Sequence, residues 1–332
     1  MTPKISVIMP VYNTDEDYLR TAIESILKQS YKNFEFLIVD DCSKSYIKDI
    51  IQSYNDIRIQ YFRLSKNSGA AIARNYAIKK AKGSYIAFLD SDDIALPNRF
   101  SRQIEYLQKH PQIGCLGTFV DICGNSNKKL NFPKLIEHKE IEACMLFLQC
   151  AFCQSSIMLR KSILDKYNIS YNKDFVPAED YKLWLDLIGK THFAILDEVL
   201  VKYRFHNKNI SNQQAMKQKD KCLLAQLDAV AVYFNFTEKQ KVLWKHFLIS
   251  KSLSVKEIDE LYILITKLIK VLKVNGYSEN NIESLLKKRI KKLYYHERQL
   301  KNQWHLFKSP IAQLFNLSLK FRFFCLITRG IL

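Results

Sequence analysis

Three carboxylates crowd one short stretch of this chain. Gly83-Ser-Tyr-Ile-Ala-Phe-Leu-Asp-Ser-Asp-Asp runs to Asp93, and its apolar part, Tyr85 to Leu89, has the length of a buried strand. Asp90, Asp92 and Asp93 follow at its tip. Acids so placed repel one another and add nothing to packing, and Asp is seldom buried without a partner. A divalent cation would resolve the conflict. Carboxylate oxygens suit Mg²⁺ or Mn²⁺, which commonly take one or two carboxylates together with substrate phosphates. The alternative is a turn in which Asp90 caps the following segment and the other acids are solvated. Two further acidic pairs stand out. Asp40-Asp41 ends the apolar run Phe34 to Val39. Glu179-Asp180 opens a helix with Leu183, Trp184 and Leu187 as its apolar face, where acids also complement the helix dipole.

The elements that must position these groups alternate. Ile5 to Val11 reads as a first strand, with Pro10 near its end and Tyr12-Asn13 at its tip. Thr14, with Asp17 three residues on, resembles a capping box for a helix to about Gln29. A second strand, a short helix from Ser45 to Tyr54 and a third strand from Ile57 to Phe62 follow. Asn67-Ser68-Gly69 opens a helix rich in small residues, Ala70, Ala71, Ala73 and Ala77, with Arg74 and Asn75 one to two turns in. Such a helix can lie close to a sheet, and its amino terminus favours an anion. The acid-tipped strand is the fourth. Helices are expected over Pro97–Lys109, Glu140–Cys150 and Lys161–Tyr167, strands over Ile113–Cys123, Gln154–Leu159 and Phe193–Phe205, and a surface loop over 124–134. Strand–helix alternation with short connections implies an α/β fold with a mostly parallel, doubly wound sheet. Ligands bind at the carboxyl edge of such sheets, where Tyr12-Asn13, Asp40-Asp41 and Asp90–Asp93 all fall. Acidic tips converging there suit a ligand with a base or ribose to hydrogen-bond and a pyrophosphate to hold through metal. Neither G-x-G-x-x-G nor G-x-x-x-x-G-K-[ST] occurs.

Composition sets the bounds. The chain has 332 residues, 48% hydrophobic and 25% charged, enough for two domains. Its start runs straight into a strand-like segment, which argues against a signal peptide. No stretch is apolar for long enough to span a bilayer. The 8 cysteines are scattered, in keeping with reduced thiols in a cytoplasm, and Cys150-x-x-Cys153 lacks a second pair at zinc spacing. The net charge of +18 is uneven: residues 1–215 carry 29 Lys and Arg against 24 Asp and Glu, residues 216–332 carry 22 against 9.

Taken together, the landmarks resemble a family 2 glycosyltransferase of the GT-A fold. Ile5 to Asn13 is similar to the family's S-V-I-x-P-x-Y-N. Val39-Asp40-Asp41-Cys42-Ser43 resembles V-D-D-G-S, with Cys42 in place of the usual Gly. Asn67, Gly69, Ala73, Arg74 and Asn75 match N-x-G-x-x-x-A-R-N. Asp90-Ser91-Asp92-Asp93 matches the D-x-D element, Ala178-Glu179-Asp180-Tyr181 the E-D motif, and Tyr203-Arg204-x-His206, with Ser211 soon after, the Y-R-x-H segment of bacterial surface-polysaccharide members. The resemblance covers roughly residues 3–212.

It implies a GT-A catalytic domain over 1–212 that uses a nucleotide-sugar donor, UDP-linked, with Mn²⁺ or Mg²⁺. Pro10, Val11, Tyr12 and Asn13 would line the nucleotide pocket. Asp41, with Asp40, would bind the uracil or ribose. Asn67 and Ser91 fall among the donor-binding positions. Arg74 would approach the diphosphate or donor sugar, and Asp90 the ribose or donor sugar. Asp92 would bind the metal, with His206 as a further ligand, and Asp180 would be the general base. One base and one metal without an enzyme nucleophile imply a single displacement that inverts the anomeric centre. The absence of Q-x-x-R-W favours addition of a single sugar to a glycan or lipid-linked acceptor in cell-surface polysaccharide assembly.

Residues 213–332 read as a basic helical domain. Gly276 is the only Gly or Pro between 213 and Pro310, and apolar residues recur at helical spacing, as in Leu261, Leu264, Ile265, Leu268, Ile269 and Leu272. The segment 310–329 is aromatic and amphipathic but interrupted by Lys320, Arg322 and Arg329. It suits the interface of an anionic inner membrane, with the protein cytoplasmic and peripheral, or packing on the body, or a homodimer contact. Two other classes compete. A nucleic-acid-binding protein would explain the charge, but no zinc spacing or RNP-like motif is present and the acidic edge repels phosphates. A nucleotidyltransferase would use the same acids, but its Gly- and Lys-rich nucleotide loop is absent.

Overall fold

The computed structural model describes residues 4–124, 137–207, 209–249, 251–296, 300–318 and 321. The loop expected over 124–134 lies outside them after Gly124, as does most of the terminal segment after residue 318. The chain forms two compact units, one of residues 1–141 and 150–221, the other of 142–149 and 222–332.

The first unit is built on buried apolar runs. β1 (Ile5–Val11), β2 (Phe34–Asp40) and β4 (Tyr85–Phe88) carry almost no exposed side chain, as strands covered on both faces require. β3 (Ile59–Arg63), β5 (Ile94–Ala95), β6 (Ile113–Gly124), β7 (Met158–Arg160) and β8 (His192–Phe205) complete one sheet of order β3-β2-β1-β4-β7-β6-β8-β5. Strands β1 to β4 are parallel, and β4 lies on the other side of β1 from β2. The strand order therefore reverses beside β1, and a crevice opens there at the carboxyl edge. Beyond β4 the sheet is mixed: β7 runs antiparallel to β4 and β6, while β6 and β8 are parallel. The pairing of β1 with β4 stops at Ile8, before Pro10, so the missing N–H costs no bond on that side.

Helices α1 (Glu16–Leu27), α2 (Tyr46–Gln52), α3 (Ala70–Lys80) and α4 (Arg99–Lys109) connect the early strands. α5 (His138–Phe147) begins in the first unit and ends in the second. α6 (Lys161–Tyr167) has the bounds that its sequence suggests, and α7 (Glu179–Asp186) and α8 (Ile210–Gln213) flank β8. Two local readings are corrected. α1 is capped by Asp15, whose carboxylate accepts from the Asp17 amide, because the Thr14 hydroxyl is engaged with that of Ser91 at 2.6 Å. Gln154–Ser156 is a single 3₁₀ turn and not the start of a strand, because its buried hydroxyls bond Asp93 and the Cys153 carbonyl.

In the second unit α9 (Ala215–Ala231, entering from the first), α10 (Glu238–Leu248), α11 (Val255–Val274), α12 (Glu279–His296), α13 (Leu300–Lys308) and α14 (Pro310–Leu314) follow. Capping boxes open α10 (Thr237 with Gln240) and α11 (Ser254 with Glu257). α11 buries Ile258, Leu261, Leu264, Ile265, Leu268, Ile269 and Leu272, one continuous stripe. No helix among the described residues is long and apolar enough to cross a membrane.

Candidate active site

Because β1, β2 and β4 are parallel, their tips lie along one edge. The β2 tip is held rigidly. Asp40 is fully buried and accepts from the Ser43 amide, the Tyr61 hydroxyl and the Arg63 guanidinium, each at 2.7 Å. Burial and this acceptor push the Tyr61 phenol up to about 12. Asp41 accepts from the Ser68 and Gly69 amides, both at 2.7 Å. The amino terminus of α3, which the sequence offers to an anion, thus receives the protein's own carboxylate. Gly69 at φ +88° supplies the turn that aims these amides. Cys42 takes the left-handed conformation, φ +62°, so the turn keeps its shape without Gly, at about 1 kcal/mol of strain.

The β1 tip is tied to the β2 tip. Asn13, also left-handed, bonds through its amide to the Ser43 hydroxyl and through its side chain to the Lys44 amide. Tyr12 stands 50% exposed beside it, an aromatic face open to a planar ligand. Pro10 and Val11 lie beneath, in β1, and Asn67 is exposed in the loop before α3.

The three acids of the β4 tip separate into three roles. Asp93 is buried and accepts from the Ser155 hydroxyl and the Arg204 amide, which joins the tip to the end of β8. Burial and its two acidic neighbours push its carboxyl well above the usual range. Asp90 accepts from Arg74 at 2.7 Å, and burial raises it although Arg74 pulls it down. Asp92 keeps 23% of its side chain exposed, and its Oδ2 lies 2.9 Å from His206 Nε2. The crowding read from the sequence is therefore largely relieved by protein partners, and Asp90 and Asp92 are the two acids that stay partly exposed, 31% and 23% of their side chains, while Asp93 is buried.

Asp92 and His206 fit a divalent cation. A carboxylate and an imidazole are ligands that Mn²⁺ and related metals accept. Asp92 Oδ2 and His206 Nε2 lie 2.9 Å apart, close enough to bind one ion together. No group of three or more ligating side chains occurs among the described residues. A metal held by these two side chains would take its remaining ligands from substrate oxygens and water.

Across the crevice α7 presents Glu179 and Asp180. Arg74, 5% exposed, bridges Asp90 and Glu179 (3.0 Å) and lies over the Tyr171 ring. Its buried Nε has no hydrogen-bond partner among the described residues. Asn75 fixes the backbone of Tyr171 with two hydrogen bonds, 2.8 and 2.9 Å. Burial and then the Glu179 charge push the Asp180 carboxyl up to about 7, although the Tyr181 amide donates to it. A carboxylate poised near neutrality can take a proton from a substrate hydroxyl.

Three further residues belong to this constellation and were not legible as such. Glu179 reads from sequence as a dipole-complementing acid. Asn209 accepts from the His206 amide at 2.6 Å and donates to the Arg204 carbonyl; its spacing, three residues after His206, was the available signal. Tyr18 packs against His206 and Arg204, and nothing in its neighbourhood in sequence announces this.

Comparison with known proteins gives a consistent setting. The family model described as "Glycosyl transferase family 2" matches residues 6–167, from β1 through α6. An uncharacterized glycosyltransferase of Methanocaldococcus jannaschii is 36% identical over 224 residues, 65% of this chain and 76% of that protein. The Escherichia coli UDP-Glc:alpha-D-GlcNAc-diphosphoundecaprenol beta-1,3-glucosyltransferase WfgD is 32% identical over 212 residues, 63% of this chain and 80% of that protein. In fold, the chain is similar to Staphylococcus aureus TarS 1–349 crystallised with UDP-GlcNAc, with a TM-score of 0.60 at 18% identity over 98% of this chain and 89% of that one.

Proposed function

The chain belongs to glycosyl transferase family 2, and on that premise we propose that it is an inverting, divalent-metal-dependent transferase. It moves one sugar from a UDP-linked donor to a hydroxyl of a glycan or lipid-linked acceptor in cell-surface polysaccharide assembly. The observation that carries the reading is the pairing of a partly exposed Asp92–His206 site at the β4 tip with a raised Asp180 on α7 across the crevice. The WfgD name, with its UDP-Glc donor and diphosphoundecaprenol-linked acceptor, supports the choice of donor and acceptor class.

In this reading Tyr12 stacks on the base; Asp40 and Asp41, expected from the sequence to bind uracil or ribose, are instead buried with their oxygens bonded to Ser43, Tyr61 and Arg63 and to the Ser68 and Gly69 amides, so they shape the nucleotide pocket from behind. Asn13, Ser91 and Asn67 border the nucleotide. Arg74, bonded to Asp90 and Glu179, brings a buried positive charge beside the place read for the diphosphate or donor sugar. Asp92 and His206 would hold Mn²⁺ or Mg²⁺, which supplies charge neutralisation for the departing diphosphate. Asp180 accepts the proton of the acceptor hydroxyl as that oxygen forms its bond to the anomeric carbon and the bond to the diphosphate breaks. The basic helices of the second unit are read as a contact with an anionic membrane surface that brings the enzyme to a lipid-linked acceptor.

A panel of UDP-sugars scored by UDP release tests the assignment. One donor is expected to be turned over with Mn²⁺ and to lose at least about 100-fold in rate with EDTA. Equal release with EDTA, or no release from any UDP-sugar, would contradict it.

A further inference from the structure

We infer that Tyr18, a residue of α1 outside every recognisable motif, is a positioning residue of the cation site: its ring holds the His206 imidazole on Asp92. The inference rests on the reading of Asp92 and His206 as the cation's protein ligands.

The backbone around His206 is already fixed. The Arg204 amide donates to Asp93 and its Nε to the Asp92 carbonyl, both at 2.8 Å. The His206 amide donates to Asn209, which donates in turn to the Arg204 carbonyl at 3.1 Å. These bonds set where the His206 Cα sits. They fix the backbone and not the plane of the ring, whose Nε2 lies 2.9 Å from Asp92 Oδ2, and a ligand imidazole displaced by a fraction of an ångström loses its lone-pair direction. Ligating histidines are ordinarily oriented by an outer partner.

Tyr18 supplies that constraint. Its ring centroid lies 5.4 Å from that of His206 with 30° between the planes, a stacked contact. The Arg204 guanidinium carbon lies 4.3 Å from the same centroid. One aromatic surface therefore braces both side chains that the end of β8 directs at Asp92. The contact is suited to its task. An imidazole that donates a lone pair to a cation becomes electron-poor, and the face of a phenol ring favours such a neighbour. The hydroxyl plays no part, so Phe should serve as well as Tyr. The Asp15 cap and the first turn of α1 place Tyr18 at the crevice, which ties the first helix of the fold to its last strand.

Mn²⁺ binding to the full chain, followed by electron paramagnetic resonance of free Mn²⁺ at saturating UDP, tests this. Tyr18→Phe is expected to bind within about twofold of wild type and Tyr18→Leu about tenfold more weakly. His206→Ala is expected to weaken binding as well, and Tyr18→Leu combined with His206→Ala to lose clearly less than the sum of the two single losses, since Tyr18 acts mainly through the His206 ring. Should Tyr18→Leu fail to fold, Tyr18→Met carries the same expectation. Wild-type affinity in Tyr18→Leu or Tyr18→Met while His206→Ala is impaired would overturn the inference alone. So would additive losses in the double variant. Undiminished binding in His206→Ala would overturn the cation-site reading itself.

Discussion

At the scale of single residues, position rather than type decides what each acid does. Asp40, Asp41, Asp90, Asp92 and Asp93 lie at one sheet edge, with Glu179 and Asp180 facing them from α7, yet most are spoken for by amides, hydroxyls or guanidinium groups. Asp180, like Asp90 and Asp93, is raised by burial and neighbouring acids, in its case to about 7, and it stands on α7 across the crevice from them. The sign has a consequence for stability. A carboxyl near 3.9 in the unfolded chain and near 7 when folded binds more protons in the folded state between those values. Stability from this group therefore falls as pH rises through that window. Asp180→Asn is expected to unfold at higher temperature than wild type above pH 7 and at a similar temperature below about pH 4. The kcat/KM of the wild type is expected to rise with pH to a plateau above about 7, because the deprotonated form accepts the hydroxyl proton. Thermal melts and rate profiles across pH check both; a flat difference in melting temperature would place Asp180 in a more solvated setting.

At the scale of elements, strands and helices were largely legible and their side-chain appointments were not. Runs such as Ile5–Val11 and Phe34–Val39 announce buried strands because a two-sided sheet permits no polar face. α11 announces itself by its stripe. The misread places are those where a distant partner overrides local propensity. Thr14 would cap α1 but for Ser91, 77 residues away. Ser155 and Ser156 would continue a strand but for the buried Asp93 and the Cys153 carbonyl. The opposing turn at Cys42 survives a missing Gly because neighbours hold it at small cost. Within the second unit one side chain joins two helix ends: Arg289, 9% exposed, donates to the carbonyls of Phe147 and Leu148 after α5 and of Leu248 at the end of α10. Removing it would leave two buried acceptors and one partly buried acceptor without that donor. Arg289→Ala is expected to lower stability by about 3 kcal/mol in urea unfolding of the full chain, and Arg289→Lys to recover less than half, since one ammonium cannot span the three carbonyls. A loss under about 1 kcal/mol would show that water replaces the guanidinium.

At the scale of the whole molecule, charge and chemistry occupy different parts of the chain. The crevice is built from residues of the first unit, whereas the excess of Lys and Arg belongs to residues 216–332. Catalysis at the acidic edge gains nothing from that excess, and the proposed contact with an anionic surface would give it a use. Flotation with vesicles is expected to carry the protein up with phosphatidylglycerol-containing vesicles and not with neutral phosphatidylcholine. The co-flotation should weaken as salt rises past physiological strength. Equal behaviour with both vesicles would remove the membrane reading and leave the transferase reading standing.

The central claim is that Asp180 takes the acceptor's proton while a separate Asp92–His206 site holds the donor. UDP release by Asp180→Asn at saturating donor and Mn²⁺, set beside its UDP affinity, addresses it most directly. The account expects turnover to fall by about 1,000-fold with UDP affinity within about twofold of wild type. Turnover within about tenfold of wild type would contradict it.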